Sequence, residues 1–198
     1  FRQFFAVCRK IGCTARLEHV WFGLMRLPEG TFSTRQGNVI KLDALLDEAE
    51  RRALAIIRES SPEMPAERQQ ALARDIGIGA VKYADLSHDP QNLIVFTWDR
   101  ALALDGNSGP YLQYAYARIR SLLDKYRDVC PGRDPCAASL LLNEPIEKQL
   151  ALQILQYPAA VVRAAEAFKP SFLADYLFAL AQLYSSFYQR FPILKADE

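Results

Sequence analysis

The chain has 198 residues, enough to bury a sizeable core in one large domain or two smaller ones. Its 24 Lys+Arg and 23 Asp+Glu leave a formal net charge of +1, so bulk charge names no partner, and a nucleic-acid binder would have to gather its cations locally. Hydrophobic residues make up 51%, yet no apolar run approaches the roughly 20 residues that cross a bilayer as a helix.

The chain opens inside a pattern: Phe1, Phe4, Phe5 and Cys8 are spaced as on a helix already under way. At the other end "FPILKADE" follows a strong helical pattern and stops on polar residues, so both ends read as those of a segment of something longer. "HVWFGLM", His19 to Met25, is a short run of strand formers closed by Pro28 and Gly30. From Leu42 apolar residues recur at Leu45, Leu46, Ala49, Ala53, Ile56 and Ile57, a helical stripe that "SSPEMP", Ser60 to Pro65, breaks. A second helix is expected from about Ala66 to Leu86, with Leu72, Ile76, Ala80 and Tyr83 on one side. Gly77 and Gly79 weaken that helix and permit close packing against a neighbour. "LIVFTW", Leu93 to Trp98, reads as a short strand, and the turn-rich "DGNSGP", Asp105 to Pro110, marks a domain boundary.

Beyond Pro110 the pattern is helical throughout. Leu112, Ala115, Ile119, Leu122 and Leu123 form one stripe, and Pro158 is expected to kink or break the next helix. The last repeats Leu173, Tyr176, Leu177, Leu180, Tyr184, Phe187, Tyr188 and Phe191 at spacings of three and four. Short connections and apolar stripes predict an antiparallel α-helical bundle. Cys8 and Cys13, like Cys130 and Cys136, lack the C-x-x-C spacing of zinc sites and read as small apolar thiols. His19 and His88 lie far apart in sequence, so neither a metal site nor a histidine triad is assigned.

Two stretches carry chemistry. In "GTFSTRQGNVIKL", Gly30 to Leu42, Gly30 and Gly37 let the backbone bend towards a ligand, Ser33 and Thr34 supply hydroxyls, and Arg35 supplies a planar fork of donors. The combination suits a polyphosphate, although no Gly-Lys-Ser/Thr triplet is present and a solvated turn has the same composition. On the helix that starts near Tyr111, Tyr111, Tyr114, Arg118 and Lys125 share one face, roughly opposite the apolar stripe. Rings that stack bases and cations that meet phosphates suit a single-stranded RNA loop; half-buried tyrosines with wet hydroxyls would look alike.

"GTFSTRQGNVIKLDALLDEA" resembles the signature loop of class I aminoacyl-tRNA synthetases in the form found in arginyl-tRNA synthetases, where the KMSKS element commonly reads M-S-T-R-x-G-N. The resemblance continues through "IGIGAVKYADLS", "FTWDRALALDGNSGPYLQYAYARIRSLL" and "YLFALAQLYSSFYQRFPIL", in the family's order and over nearly the whole chain. It implies a mainly α fold: the end of a Rossmann-like catalytic domain with the loop and connecting helices over residues 1–108, then a helical anticodon-binding domain over 109–198, incomplete at its C-terminus. It also implies ATP as substrate, with Mg2+, L-arginine, and tRNA(Arg) as partner, in a cytoplasmic monomer with no membrane association. Ser33, Thr34 and Arg35 would then contact the triphosphate, with Gly30 and Gly37 shaping the loop. The family's helical domain binds the anticodon loop through the helix of Tyr111 and the last helix, which adds Tyr188.

The match has departures. Thr31 and Thr34 stand where the KMSKS element has its lysines. No HIGH-type motif or arginine-selecting pocket is visible, so residues 1–198 alone are expected to be inactive. A non-catalytic tRNA-binding or regulatory paralogue is the alternative. A cysteinyl-type synthetase is a weaker third, since its zinc ligands are not apparent.

Overall fold

The computed structural model describes residues 1–26, 28, 41–134, 141–191 and 193. Helix α1 spans Arg2–Lys10, and strand β1 is Met25–Arg26. Helices α2, Leu42–Ser60, and α3, Ala66–Leu86, follow, with their break at "SSPEMP" as the prolines require. Strand β2, Ile94–Val95, and the single turn α4, Trp98–Ala101, lead to α5, Gly109–Val129. The rest comprises α6, Pro145–Leu155, α7, Tyr157–Ala167, and α8, Ser171–Arg190. The fold is mainly α, as the patterning predicts.

Helices α2 and α3 form an antiparallel hairpin whose seam is made of small residues. Ala49, Ala53 and Ala73 are buried there, and Gly77 lets the two backbones touch. A Cβ on Gly77 would stand 2.7 Å from the Ala49 carbonyl carbon and the Glu50 amide nitrogen. Because the contact is narrow, the larger apolar residues at its margins stay wet. Ile56 and Leu72, both expected inside, are exposed. Beside the seam, Arg51 and Arg52 donate to the Glu48 carboxylate at 2.7 and 2.6 Å. The hydrogen bond from Arg51, with that from Arg52, holds the Glu48 carboxyl down at about 2. Arg52 in turn lies 4.9 Å over the Trp98 ring, tying α2 to α4.

The strands are shorter than their β-formers suggest. β1 and β2 pair in parallel, Met25 with Ile94 and Arg26 with Val95, and α2–α3 is the crossover between them. Among the described residues this sheet has two strands. The amides of Ile94 and Phe96 donate to the carbonyls of Leu24 and Arg26, and the regular structure stops there. His19–Leu24 is therefore not strand, and Trp98 opens α4 instead of ending β2.

Ser108 caps α5: its Oγ accepts from the Tyr111 amide at 3.1 Å and donates to the Ala103 carbonyl at 2.5 Å. Gly109 then passes so close to α3 that a Cβ would lie 2.9 Å from the Gly79 carbonyl oxygen. Pro158 does break its helix, separating α6 from α7 at Gln156. Helix α8 packs on α5, α6 and α7, burying Ala174, Tyr176, Ala181 and Tyr184. Leu177 and Ile119, assigned inside by their spacing, are exposed at the edges of this bundle.

The two α3 glycines should respond differently to a methyl group. Alanine gains about 1 kcal/mol of helix propensity at either site, but at Gly77 the new atom meets backbone, which cannot swing away. Gly77→Ala is expected to lose about 1–3 kcal/mol net. Gly79→Ala meets only the end of the Gln113 side chain and should change stability by less than about 1 kcal/mol. Thermal denaturation decides, and equal melting temperatures would show that Gly77 does not set the α2–α3 spacing.

Candidate nucleic-acid interface

Gly30, Thr31, Ser33, Thr34, Arg35 and Gly37 lie outside the described residues. The structure does describe the mounting of that segment. It leaves β1, which is hydrogen-bonded to β2, and it enters α2, whose Leu45 and Leu46 pack on the cluster of Ala49, Val81 and Phe96. Beside this mounting is an apolar cleft of about 570 Å3, lined among others by Phe22, Met25, Leu42, Leu45 and Val81.

The helical half gathers the other candidates. Arg118 on α5 lies between two rings, 4.5 Å from the Tyr114 centroid and 5.0 Å from that of Tyr188 on α8. Its Nη2 also donates to the Tyr114 hydroxyl at 2.7 Å. Residues far apart in sequence thus meet because α5 and α8 are neighbours in the bundle. Tyr114 is 50% exposed and Tyr188 36%, so both rings keep surface free for stacking. Lys125, exposed, lies two turns further along α5.

Tyr111 takes a different place. Its ring meets Phe178 edge-on at 5.8 Å, and its hydroxyl is 3.2 Å from Ser185 Oγ, so it faces α8 and is half-buried. The face shared by Tyr111, Tyr114 and Arg118 is therefore one flank of the α5–α8 seam, not the side opposite the packing surface. Periodicity locates a face but not the neighbour it meets.

Tyr184, assigned by its spacing to the apolar stripe, is buried 5.9 Å from Tyr188, and its hydroxyl has no hydrogen-bond partner among the described residues. Burial, then the neighbouring Tyr188, pushes its hydroxyl pKa up, against the opposing pull of Arg118. No spacing rule singles out that role. Tyr116, which the face count passes over, is the most exposed tyrosine of α5. Among the described residues no three His, Cys, Asp or Glu side chains gather as a metal site.

Known proteins resemble both halves. The family model described as tRNA synthetases class I (R), catalytic domain, matches residues 1–98, and the DALR anticodon binding domain matches residues 112–198. An arginine–tRNA ligase of Fusobacterium nucleatum is 43% identical over 197 residues, covering 100% of this chain and 34% of the relative. One of Laribacter hongkongensis is 44% identical over 201 residues, with coverages of 100% and 34%. Thermus thermophilus arginyl-tRNA synthetase superposes with a TM-score of 0.68 at 34% identity, over 88% of this chain and 26% of that one. The Plasmodium falciparum arginyl-tRNA synthetase shares the fold, with a TM-score of 0.77 at 24% identity over 96% of this chain and 32% of that one. The chain thus spans about a third of the length of the curated relatives it matches.

The seam geometry separates packing from exposed tyrosines. Tyr111→Ala removes a half-buried ring and a hydrogen bond and should cost about 2–4 kcal/mol. Tyr114→Ala removes a half-exposed ring, one cation–π contact and an exposed hydrogen bond from Arg118, with an expected cost below about 1 kcal/mol. Chemical denaturation measures both, and equal losses would mean that Tyr111 does not anchor α5 to α8.

Proposed function

The chain belongs to the arginyl-tRNA synthetase family of class I, and from that membership we propose that it serves in the charging of tRNA(Arg) with L-arginine. In the first step a carboxylate oxygen of arginine attacks the α-phosphorus of ATP, and pyrophosphate leaves. A hydroxyl at the 3′ end of the tRNA then attacks the carbonyl carbon of the adenylate, and AMP leaves. Magnesium enters with the nucleotide, as counter-ion to its phosphates.

Arg35, with the hydroxyls of Ser33 and Thr34, is the group proposed to meet the charge that grows on the leaving pyrophosphate, while Gly30 and Gly37 let the backbone close on it. The helical half holds the anticodon loop. One observation carries this part: Tyr114, Arg118 and Tyr188 converge from two helices on an exposed seam, within the segment that matches an anticodon-binding domain. Each ring offers a free face to an unpaired base, and Arg118 and Lys125 are cations for its phosphates. Tyr111 serves the same surface by fixing α5 against α8. A cytoplasmic monomer is the proposed working form; among the described residues no helix is long and apolar enough to cross a membrane.

A non-catalytic tRNA-binding relative is the second reading, favoured by Thr31 and Thr34 in place of both signature lysines. Arginine-dependent pyrophosphate exchange decides between them, and substitution at Arg35 tests the loop. In the full-length synthetase carrying this sequence, Arg35→Ala should slow adenylate formation about 100- to 1000-fold and leave arginine affinity nearly unchanged. Unchanged turnover at saturating ATP would remove Arg35 from the reaction. No arginine-dependent pyrophosphate exchange by the unsubstituted enzyme, with tRNA present, would favour the second reading.

The anticodon assignment has its own test. A stacked base contributes roughly 1–3 kcal/mol, so Tyr114→Ala or Tyr188→Ala should weaken tRNA(Arg) binding about ten- to a hundredfold. That loss should shrink when the anticodon bases are replaced, because the stacking partner has already changed. Arg118→Ala should weaken binding of all tRNA sequences more evenly and flatten the salt dependence. Strictly additive losses between protein and anticodon substitutions would show that the tyrosines do not touch those bases.

A further inference from the structure

We propose that Tyr83 is a positioning residue that fixes the angle between the signature-loop half and the helical half, so that one tRNA can engage both at once. The inference rests on the anticodon assignment above. Tyr83 stands near the C-terminal end of α3, half-buried where three elements converge. Its hydroxyl lies 2.6 Å from Asn107 Oδ1, in the turn before α5, and 3.3 Å from the Ala174 carbonyl oxygen in the first turn of α8. The single proton bonds Asn107 at the shorter distance, while Ala174 offers a second acceptor close by. Burial, and then the charge of Asp175, pushes the hydroxyl pKa up to about 12, so the donor persists at every working pH.

The apolar contacts at this joint are made by small groups. Gly109 lies against Gly79, Ala80 and the Cβ of Tyr83, and Ala174 is buried beside them. Such contacts set how near the helices come but resist rotation weakly, because methyl groups and bare backbone interlock little. Directional polar bonds supply the missing constraint. Tyr83 makes one of them. Two others flank it: Gln113 Nε2 donates to the Asp75 carbonyl at 3.1 Å, and Lys169 Nζ meets Asp89 Oδ2 at 2.6 Å. All three run from α3, or the segment just after it, to α5, the turn before α5 or the α7–α8 turn.

The same α3 carries α2 on its Gly77 face, and α2 begins where the signature segment ends. A tilt at Tyr83 therefore moves the loop's mounting relative to the Tyr114–Arg118–Tyr188 cluster. A ligand of fixed shape that spans two sites gains from the second only when both can be met together. Tyr83 should accordingly matter for whole tRNA and not for an isolated anticodon stem-loop.

The test uses the full-length synthetase with Tyr83→Phe, which keeps the ring and removes the donor, and Asn107→Ala, which removes the acceptor. The probes are intact tRNA(Arg) and its anticodon stem-loop. Both variants should lower kcat/KM for charging intact tRNA about three- to tenfold while stem-loop affinity stays within about twofold. Tyr116→Phe, at an exposed hydroxyl, should move neither, and melting curves report any general loss of stability. Unchanged charging by Tyr83→Phe overturns the proposal, as does an equal fall in charging and stem-loop affinity. If the unsubstituted enzyme fails to bind the stem-loop at all, the anticodon assignment falls first and this proposal with it.

Discussion

Backbone-to-backbone contact along α3 is the constraint on which the rest of the molecule depends. At Gly77 it admits α2 with no side chain between, and at Gly79 it admits the start of α5 through Gly109. Helix interaxial distances follow the size of the residues at the contact, so glycine and alanine bring the axes to the near end of the usual range. Glycine within a helix costs about 1 kcal/mol relative to alanine, and α3 bears that cost at two positions two residues apart. Two residues apart along a helix point to different sides. Gly77 therefore faces the α2 backbone and Gly79 the Gln113 side chain of α5, whose own backbone comes close through Gly109, and α3 becomes the shared wall between the loop's mounting and the helical bundle.

The α5–α8 seam follows from that wall. Fixing the first turn of α5 against α3, with Ser108 capping it, sets the direction of the remaining turns. Helix α8 is held to α3 through Ala174 and to α5 through Tyr111, so its later residues arrive beside Arg118. The guanidinium then lies within cation–π distance of both Tyr114 and Tyr188. Each such contact at an exposed site contributes about 0.5–1 kcal/mol, too little to hold the fold but enough to keep three flexible side chains ordered. Ordering them before a ligand arrives lowers the entropy lost on binding. That is the physical reason to prefer the seam over the more exposed Tyr116.

Helix limits were legible in the sequence because their causes are local. Prolines at 62 and 65 separate α2 from α3, and Pro158 separates α6 from α7. Buried faces were less legible. Ile56, Leu72, Ile119 and Leu177 fit the helical period yet are exposed, since a seam of small residues buries a narrower stripe than the period suggests. The strands shrank for a related reason: β-propensity describes a pleated, half-buried surface, and among the described residues β1 and β2 have only each other. Tyr114, Arg118 and Tyr188 were singled out by residue type and position, but their meeting depends on which helix lies beside α5. The signature loop was legible as a motif, and its residues lie outside those described.

The missing lysines give the proposed loop chemistry its sharpest constraint. A lysine ammonium is a compact point charge on a flexible stem, whereas an arginine presents several donors in one fixed plane. With threonine at positions 31 and 34, the segment Thr31–Arg35 retains neutral hydroxyls and the single cation Arg35. Hydrogen bonds to an ionised donor are roughly twice as strong as neutral ones, so the hydroxyls can orient a phosphate but cannot replace two cations. On the proposed reading, the charge that develops between phosphates meets a single cation from Thr31–Arg35, so no second cation of that segment offsets the loss of Arg35. A guanidinium can bridge two phosphate oxygens at once, which a lysine does less well, and that geometry is the reason Arg35 alone is proposed for the part that the family motif gives to two lysines.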